Sequence, residues 1–445
     1  MNILTISIVL TTMIVFFLNN GLKNTLLHPF FYICFYYIFF FHTQTQRDPD
    51  FALDVDFAVM LSFIFFTLSF FTIFSFVKNR FVDRQLKRFF PFKKIGDFTD
   101  VLSSNKTRTI IISSIFFIVV IWTFFFFDLA LKEYGSIETV FLQFYSTPLY
   151  EYPFYHKIIF TLLPLMLMFI FVLRIFVHYY QSRFAYIVTI VAILLVSLCL
   201  FTIGTRGYFL TMLILLILAD LIYVFIEKTR IRITLFTKIS AIFLFFMMIV
   251  LTSIRGQYHA EYSDLFSSIQ NSISGETVEK FSRGGSIPDE VAFSLKHYGN
   301  DLDFLGGHTY YSILVNPIPR VFWPEKPVGF GRILAWDQGF HHSTNVSLAA
   351  GIAGEGYAGF GWSGVIVLSL IMGMYSGFMA KVAWRCFHYR NFVVLIIGLL
   401  FFSASISIVR GDMLSGITMN IYTIILFLML LYIRKVFLVS IKRKT

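Results

Sequence analysis

Long apolar runs recur from one end of the chain to the other, and they limit the possible folds more than any other feature. Each run has roughly the 17 to 25 residues that an α-helix needs to cross the hydrocarbon core of a bilayer. The predicted segments are 3–19, 26–41, 57–77, 109–130, 157–177, 184–203, 207–226, 234–254, 363–381, 392–409 and 413–433. The stretch 346–360 is also apolar and rich in small residues, which predicts a re-entrant or interfacial helix, or one more span. The sequence therefore predicts an all-α, polytopic transmembrane helical bundle of about 11–12 helices that forms one multi-pass domain, 1–445.

Basic residues concentrate in alternate loops. The segment 78–108 holds nine Lys and Arg residues, which predicts a cytoplasmic position by the positive-inside rule. Alternation then places the basic groups 228–232, 381–390 and 442–444 on the same side, whereas the loop 48–56 on the other side is acidic. All loops agree with one topology, in which the N-terminus is outside and the C-terminus is inside. This pattern explains the formal net charge of +11, so the charge does not indicate nucleic acid binding.

One predicted outer loop, 255–345, is far longer than the others. It is rich in Gly, Pro and aromatic residues, and it is polar enough to be exposed to water. Long loops between packed helices are more often functional than idle. We therefore expect this large outer loop to carry part of a functional site. Within it, 286–291 has the pattern of a helix start.

Four Arg-Gly pairs lie on the outer side of the predicted topology, where basic residues should be scarce. The arginines are Arg206, Arg255, Arg283 and Arg410. Arginine presents a planar fork of donors that matches phosphate oxygens, and converging arginines repel each other unless an anion lies between them. The pattern predicts a pyrophosphate-sized anion site at the outer membrane surface. The alternative is that these side chains snorkel, or pair with acids such as Asp412.

A second group of candidates lies in the long loop, within 306–327. The candidates are His308, Tyr310, Arg320, Trp323 and Lys326. The two aromatic rings are predicted to stack on sugars, the two cations to bind an anion, and the imidazole to accept a proton from a hydroxyl near neutral pH. Four prolines in this run also fit a stiff loop packed over the bundle. A single histidine in such a loop is more often structural than catalytic.

A glycine-rich segment follows at 351–364, and its one charged residue is Glu355. The segment lacks the Gly-Lys-Ser/Thr ending of a P-loop, so no nucleotide cofactor is predicted. A carboxylate in an apolar stretch at membrane depth is a functional candidate, either as a base or as the partner of an arginine. A Glu–Arg clamp that only stabilises the fold fits the pattern equally well.

Metal binding is not predicted. The pair His341-His342 lies near Asp337, but adjacent histidines point apart on most backbones and no H-E-x-x-H spacing exists. The three cysteines form neither a disulfide framework nor a metal-binding pattern. We therefore expect neither a metal nor an organic cofactor.

Two of these motifs together resemble the Wzy-type O-antigen polysaccharide polymerases. They are Gly307-His308-Thr309-Tyr310 with Pro319-Arg320-x-x-Trp323-Pro324-Glu325-Lys326-Pro327, and Glu355-Gly356-Tyr357 with Phe360-Gly361 and Gly364. The motif match covers mainly 306–364, and the match in topology covers most of the chain. The resemblance implies a GT-C-like membrane glycosyltransferase of the bacterial inner membrane, with a periplasmic N-terminus, a periplasmic long loop and no metal.

The resemblance also implies a reaction. Such enzymes join oligosaccharide repeat units carried on undecaprenyl pyrophosphate at the periplasmic face. Glu355, His308 and Arg320 are then the catalytic candidates, and the outer arginines would hold the pyrophosphate while Lys326, Tyr310 and Trp323 bind pyrophosphate or glycan. A chain-length regulator protein is a plausible partner for such an enzyme.

Two alternatives stay open. An O-antigen ligase uses the same donor with a lipid A–core acceptor, and it shares the large outer loop and the arginines. A transporter or flippase of lipid-linked oligosaccharide should show charged residues deep inside several helices. The sequence instead predicts that the unusual charges gather at one face, which favours an enzyme.

Overall fold

A computed structural model describes most of the chain. The described residues are 3–41, 49–89, 105–134, 162–180, 183–203, 206–226, 234–254, 287–316, 318, 322–323, 325–339, 347–389, 392–409, 417 and 424–425. These residues form α-helices joined by turns, and none of them belongs to a β-strand. The predicted all-α class is therefore confirmed for the described part of the chain.

The helices described vary in length from 8 to 37 residues. In chain order they are α1 (Ile3–Leu27), α2 (Pro29–Phe41), α3 (Ala52–Phe76), α4 (Asn79–Phe89), α5 (Asn105–Tyr134), α6 (Leu163–Tyr180), α7 (Arg183–Ile203), α8 (Arg206–Ile226), α9 (Leu235–Ile254), α10 (Ile287–His297), α11 (His308–Val315), α12 (Phe330–Asp337), α13 (Gly351–Phe387) and α14 (Phe392–Ser407). Over the described residues, five of them are long and apolar enough to cross a membrane, namely α1, α3, α5, α7 and α13. Shorter apolar stretches of 10–17 residues lie in α2, α6, α8, α9 and α14. Each predicted span thus corresponds to an apolar helix, except 413–433, which lies almost wholly outside the described residues.

A parallel helix pair, formed by α3 and the second part of α13 (362–387), is a central element of the bundle. Glycines let the two backbones touch, because a Cβ at Gly373 would overlap the carbonyl oxygen of Phe66, and one at Gly377 that of Phe70. The spacing Gly-x-x-x-Gly is typical of membrane helices that pack closely. This spacing is visible in the sequence, at Gly373 and Gly377.

Gly377→Val is expected to push α3 away from α13 and to destabilise the protein by about 1–3 kcal/mol. The added side chain would overlap the Phe70 backbone, which cannot move without moving α3. Met374→Val, on the exposed side of the same helix, is the matched control and should change little. Thermal unfolding of the detergent-purified variants measures both effects. Equal midpoints for the two variants would show that the glycine contact is not needed.

At the far end of this helix pair, α4 packs against the end of α13. Arg385 forms a two-point ion pair with Asp83, with Nε–Oδ1 at 3.0 Å and Nη2–Oδ2 at 2.6 Å. Tyr389 also donates a hydrogen bond to Asp83 Oδ1, at 2.9 Å. The contact brings together the basic segments 78–108 and 381–390, which the sequence predicts to lie on one side of a membrane.

A buried polar cluster ties α6, α8 and α9 together. Arg174 of α6 donates two hydrogen bonds to Asp220 Oδ1 of α8, at 3.1 and 2.9 Å, and His178 Nε2 lies 2.6 Å from the same oxygen. Asp220 Oδ2 accepts a hydrogen bond from the backbone N–H of Thr234, just before α9, at 3.0 Å. Arg174 and Asp220 are each only 1% exposed. Because the late part of α8 contacts the start of α9, these two helices run antiparallel.

This cluster corrects one expectation from the sequence. The unusual charges do not all gather at one face, because Arg174 and Asp220 lie inside the predicted spans 157–177 and 207–226 and are buried. Single charges toward the ends of apolar runs resemble ordinary snorkelling residues, so the sequence alone does not single them out. Their pairing becomes visible only when α6 and α8 lie side by side.

Candidate functional site

The glycine-rich segment folds back on itself at a break inside α13. Phe360 and Gly361 leave the helical conformation, and Gly361 has a φ of 63°, in the left-handed region that favours glycine. The short helix 351–359 precedes this break, and the long helix 362–387 follows it. We call 351–364 the glycine hairpin, and 351–359 its short arm. The short helix predicted within 346–360 is therefore present.

Two glycines allow the arms of the hairpin to touch. A Cβ at Gly356 would lie 2.8 Å from the carbonyl oxygen of Gly364 and from the Cα of Val365, which is closer than side chains tolerate. The ring of Trp362 lies 5.3 Å from that of Phe57, near the start of α3. The glycine hairpin therefore lies at the end of the bundle where α3 begins, and we call this end the hairpin end.

Glu355 lies in the short arm and is only 2% exposed. α10 covers the adjoining turn, since a Cβ at Gly354 would lie 3.3 Å from Ser294 Oγ and 3.5 Å from Val291 Cα. A buried carboxylate is costly unless hydrogen-bond donors or positive charges face it. The structure thus buries Glu355 beneath α10, and this setting suits either a catalytic base or a Glu–Arg clamp that stabilises the fold.

The segment before α11 docks on the end of the short arm. The break in α13 leaves carbonyl groups at that end without helical partners. The N–H of Leu305 donates to the oxygen of Ala358 at 2.9 Å, and the N–H of Gly306 donates to that of Gly359 at 3.1 Å. His308 begins α11 directly afterwards and is exposed. Two motifs that are separate in the sequence therefore meet in space.

The hydroxyl of Tyr310, in the first turn of α11, packs against the glycine hairpin. A Cβ at Gly359 would lie 2.6 Å from Tyr310 Oη, and this hydroxyl has no hydrogen-bond partner among the described residues. Gly359 follows Glu355 by four positions, so both lie on one side of the short arm, about 5–6 Å apart at Cβ level. Burial and, second, the negative charge of Glu355 raise the pKa of Tyr310, so its hydroxyl remains protonated.

The predicted stacking of the Tyr310 ring on a sugar stays a prediction. Its ring lies 6.2 Å from that of Phe360, packed beside the hairpin. The group that lacks a partner is the hydroxyl, and an unsatisfied buried hydroxyl costs about 1–3 kcal/mol. Such groups in native proteins often have a functional reason. The buried hydroxyl, and not the ring, is therefore the unsatisfied group of Tyr310 among the described residues.

Lys326 is buried and caps the end of α11. Its Nζ donates to the carbonyl oxygens of Asn316 at 2.8 Å and Ile318 at 2.9 Å, and Asn316 Oδ1 lies at 3.3 Å. An ammonium group has three donors, so these acceptors match its full capacity. The described contacts give Lys326 a structural role, and the anion contact predicted for it stays a prediction. Trp323 is half-buried, with its ring 6.4 Å from that of Tyr311.

The arginines of the predicted anion site lie mostly outside the described residues. Arg255, Arg283, Arg320 and Arg410 are outside, as are His341 and His342. Arg206 is the first residue of α8, and its side chain is also outside the described set. The start of α8 and the end of α9 lie at the same end of their antiparallel pair, opposite the Asp220 cluster.

α10 packs on the hairpin, and α12 packs in turn on the region of α10. α10 begins at Ile287, within the predicted helix start. Tyr298 Oη donates to Asp337 Oδ2 at 2.5 Å, and Gln338 donates to the carboxylate of Glu290. Asp337, which lies near the adjacent histidines in the sequence, therefore accepts a hydrogen bond from a tyrosine. No group of His, Cys, Asp and Glu among the described residues could hold a metal ion.

The site combines three kinds of side chain where α10, α11 and the glycine hairpin meet. They are a buried carboxylate, a protonated phenol and an exposed imidazole, from Glu355, Tyr310 and His308. A carboxylate or an imidazole can accept a proton from a hydroxyl, and a phenol can orient that hydroxyl. No protein-family model, curated protein or solved structure matches this chain.

Proposed function

We propose that the protein polymerises oligosaccharide repeat units linked to undecaprenyl pyrophosphate, as a membrane glycosyltransferase of the Wzy type with a GT-C-like architecture. The observation that carries this proposal is the docking of the segment before α11 on the glycine hairpin, which brings Tyr310 toward Glu355 and leaves His308 exposed at the start of α11. These residues come from the two motifs that resemble the polymerase family. Neither motif supplies all three groups alone.

In this proposal the site faces the periplasm, and the protein resides in the bacterial inner membrane. The hairpin end holds the site, whereas the ion pair Asp83–Arg385, within the basic segments, lies beyond the other end of α3. This separation supports a periplasmic N-terminus and a cytoplasmic C-terminus by the positive-inside rule. A site at the end of apolar helices suits a substrate whose polyprenyl tail stays in the bilayer.

The proposed reaction needs a base and a stabiliser of the leaving group. The oxygen of the acceptor hydroxyl bonds to the anomeric carbon of the donor as the bond from that carbon to the pyrophosphate oxygen breaks. The hydroxyl proton passes to the Glu355 carboxylate, and the Tyr310 hydroxyl donates a hydrogen bond that orients the acceptor sugar. Arginines such as Arg206 and Arg320 would meet the negative charge of the departing lipid pyrophosphate. His308 is the second candidate for the base.

A transporter of lipid-linked oligosaccharide is the second candidate function. The buried cluster of Arg174, Asp220 and His178 favours it, because ionisable groups inside membrane helices often mark transport paths. However, both Asp220 oxygens already accept hydrogen bonds from groups on α6 and at the start of α9. These bonds hold helices together, so the cluster supports a structural role more than a path. An O-antigen ligase is the alternative closest in chemistry.

Deleting the gene is expected to leave glycan core carrying a single repeat unit, because export and ligation continue while polymerisation stops. Complementation with Arg206→Ala or Arg320→Ala should give the same short product if these arginines hold the pyrophosphate. Glycan gel ladders measure the outcome, and immunoblots of membranes verify that each variant is inserted. Arg84→Ala, which changes an exposed arginine of α4, is the control and should keep long ladders.

Two results would contradict parts of this proposal. A core without any repeat unit in the deletion strain would point to a ligase or a flippase. Long ladders from both arginine variants would show that Arg206 and Arg320 do not hold the pyrophosphate. The assignment as a polymerase would then depend on the deletion result alone.

A further inference from the structure

One face of α11 is apolar and exposed. Leu314 is 78% exposed and Tyr311 is 48% exposed, whereas the opposite face of the helix is buried. Beyond the helix, Phe322 is 80% exposed and Ile318 is 39% exposed. We call these four residues the α11 patch. Large apolar side chains clustered in water are unfavourable, and such patches usually mark contact with a membrane or another molecule.

A series of aromatic rings connects the region before α11 with the outer surface of the bundle. Phe57 of α3 contacts Trp362 at 5.3 Å, Trp362 contacts Tyr357 at 5.4 Å, and Tyr357 contacts Phe304 at 6.0 Å. Phe57 lies on an exposed part of a helix that is long and apolar enough to cross a membrane. Aromatic residues at the ends of such helices are typical of the membrane–water boundary. These rings therefore place the segment before α11 beside the start of α3.

We propose that α11 is an interfacial helix whose patch rests among the headgroups and upper acyl chains of the bilayer at the hairpin end. Lipid is the occupant that the neighbouring surface favours, because the rings next to α11 already belong to the lipid-facing side of the bundle. Phe360, at the break of the hairpin, is also 50% exposed and lies beside Tyr310. A protein partner would have to cover these boundary rings as well.

This placement has a consequence for the candidate site. His308 begins the interfacial helix and Tyr310 lies in its first turn, so the site borders the bilayer on this side. A ligand with a lipid tail can then approach from the membrane plane without leaving it. The inference itself rests on exposure and aromatic contacts, and it holds whatever reaction the site performs.

Fluorescence quenching in lipid nanodiscs tests the proposal on the full-length protein. All native cysteines are buried, so a thiol-reactive probe can be directed to Leu314→Cys. Lipid brominated in the upper acyl chain should quench this probe, and aqueous iodide should not. Phe117→Cys, on the exposed side of α5, is the control for lipid, and Asn300→Cys, in the exposed turn after α10, is the control for water.

The outcomes separate the occupants of the patch. Quenching at Leu314→Cys by iodide to the same extent as at Asn300→Cys would overturn the proposal, because the helix would then lie in water. Protection from both quenchers would also overturn it, since a protein surface would then cover the patch. Phe322→Cys is a second position outside the helix, and it should follow the lipid control if the patch is embedded. If a cysteine variant of the patch loses glycan polymer but its probe is still quenched by lipid, the membrane position of α11 stands and only the proposed reaction is affected.

Discussion

Glu355→Gln is expected to abolish glycan polymerisation, with a loss of about 10²–10⁴-fold in rate if the carboxylate is the base. The substitution preserves the shape of the side chain and removes its negative charge, so the short arm should keep its packing against α10. Polymer formation from purified lipid-linked repeat units in liposomes, separated by gel electrophoresis, measures the rate. Asp303→Asn, at an exposed aspartate of the long loop outside both motifs, is the control and should keep full activity.

A companion variant, Tyr310→Phe, distinguishes a functional hydroxyl from a structural one. Because the Tyr310 hydroxyl lacks a hydrogen-bond partner among the described residues, its removal should leave thermal stability equal or higher. Polymerisation should nevertheless slow if the hydroxyl orients the acceptor.

Native activity in Glu355→Gln would exclude Glu355 as the base and leave His308 as the candidate. A lower unfolding midpoint with native activity would identify Glu355 as a clamp.

Asp220→Ala is expected to destabilise the protein by roughly 3–5 kcal/mol. The change leaves Arg174 buried without its carboxylate, and it removes the acceptor of the Thr234 N–H before α9. Asp220→Asn keeps the shape and one acceptor, so its loss should be smaller. Thermal unfolding of detergent-purified protein, followed by the fraction that stays monodisperse in size-exclusion chromatography, measures the effect.

The control for this experiment is an ion pair of similar length in a different setting. Asp128 and Lys132 lie 2.7 Å apart on α5, with side chains that are 33% and 71% exposed. Exposed pairs contribute about 0–1 kcal/mol, so Asp128→Ala should have little effect. Arg174→Met combined with Asp220→Leu should recover much of the lost stability, as apolar replacements of buried pairs often do. Equal midpoints for Asp220→Ala and Asp128→Ala would show that the cluster does not hold the helices.

The helical class can be predicted from the sequence because apolar length is a local property. Each predicted span corresponds to an apolar helix except 413–433, which lies almost wholly outside the described residues. The break at Gly361 is also predictable in outline, since a glycine-rich run separates 346–360 from the next span. Among the described residues, five helices are long and apolar enough to cross a membrane. Other predicted spans show only shorter apolar stretches there, and the ends of several of them adjoin chain outside the described residues.

The candidate site is predictable only in part. Motifs single out Glu355, His308 and Tyr310, and these residues do come from elements that pack together. Motifs do not indicate which atom of a side chain faces a ligand. Tyr310 leaves its hydroxyl unpartnered, and Lys326 turns back to cap the helix that precedes it. The predicted anion site at the arginines stays a prediction.

Contacts between distant helices leave no local signal of their own. Arg174 and Asp220 are 46 positions apart, and each looks like an isolated charge until the helices pack. The glycines at 373 and 377 are different, because their spacing is a recognisable pattern of close helix packing. Attention to that pattern would have predicted that α13 has a tightly packed partner, although not that the partner is α3.

The α3–α13 pair also determines the order in which the protein can mature during translation. Ser369 Oγ donates to Ser62 Oγ at 2.9 Å across a separation of 307 residues. The partner helix therefore does not exist when α3 enters the bilayer, and the ribosome must first add most of the remaining chain. Until then, the surface of α3 that Gly373 and Gly377 contact can be covered only by lipid or by other helices in transient contact. Nascent chains that stop short of residue 362 would lack the part of α13 that packs on α3. Synthesis of the C-terminal part of the chain is therefore the step that completes this contact.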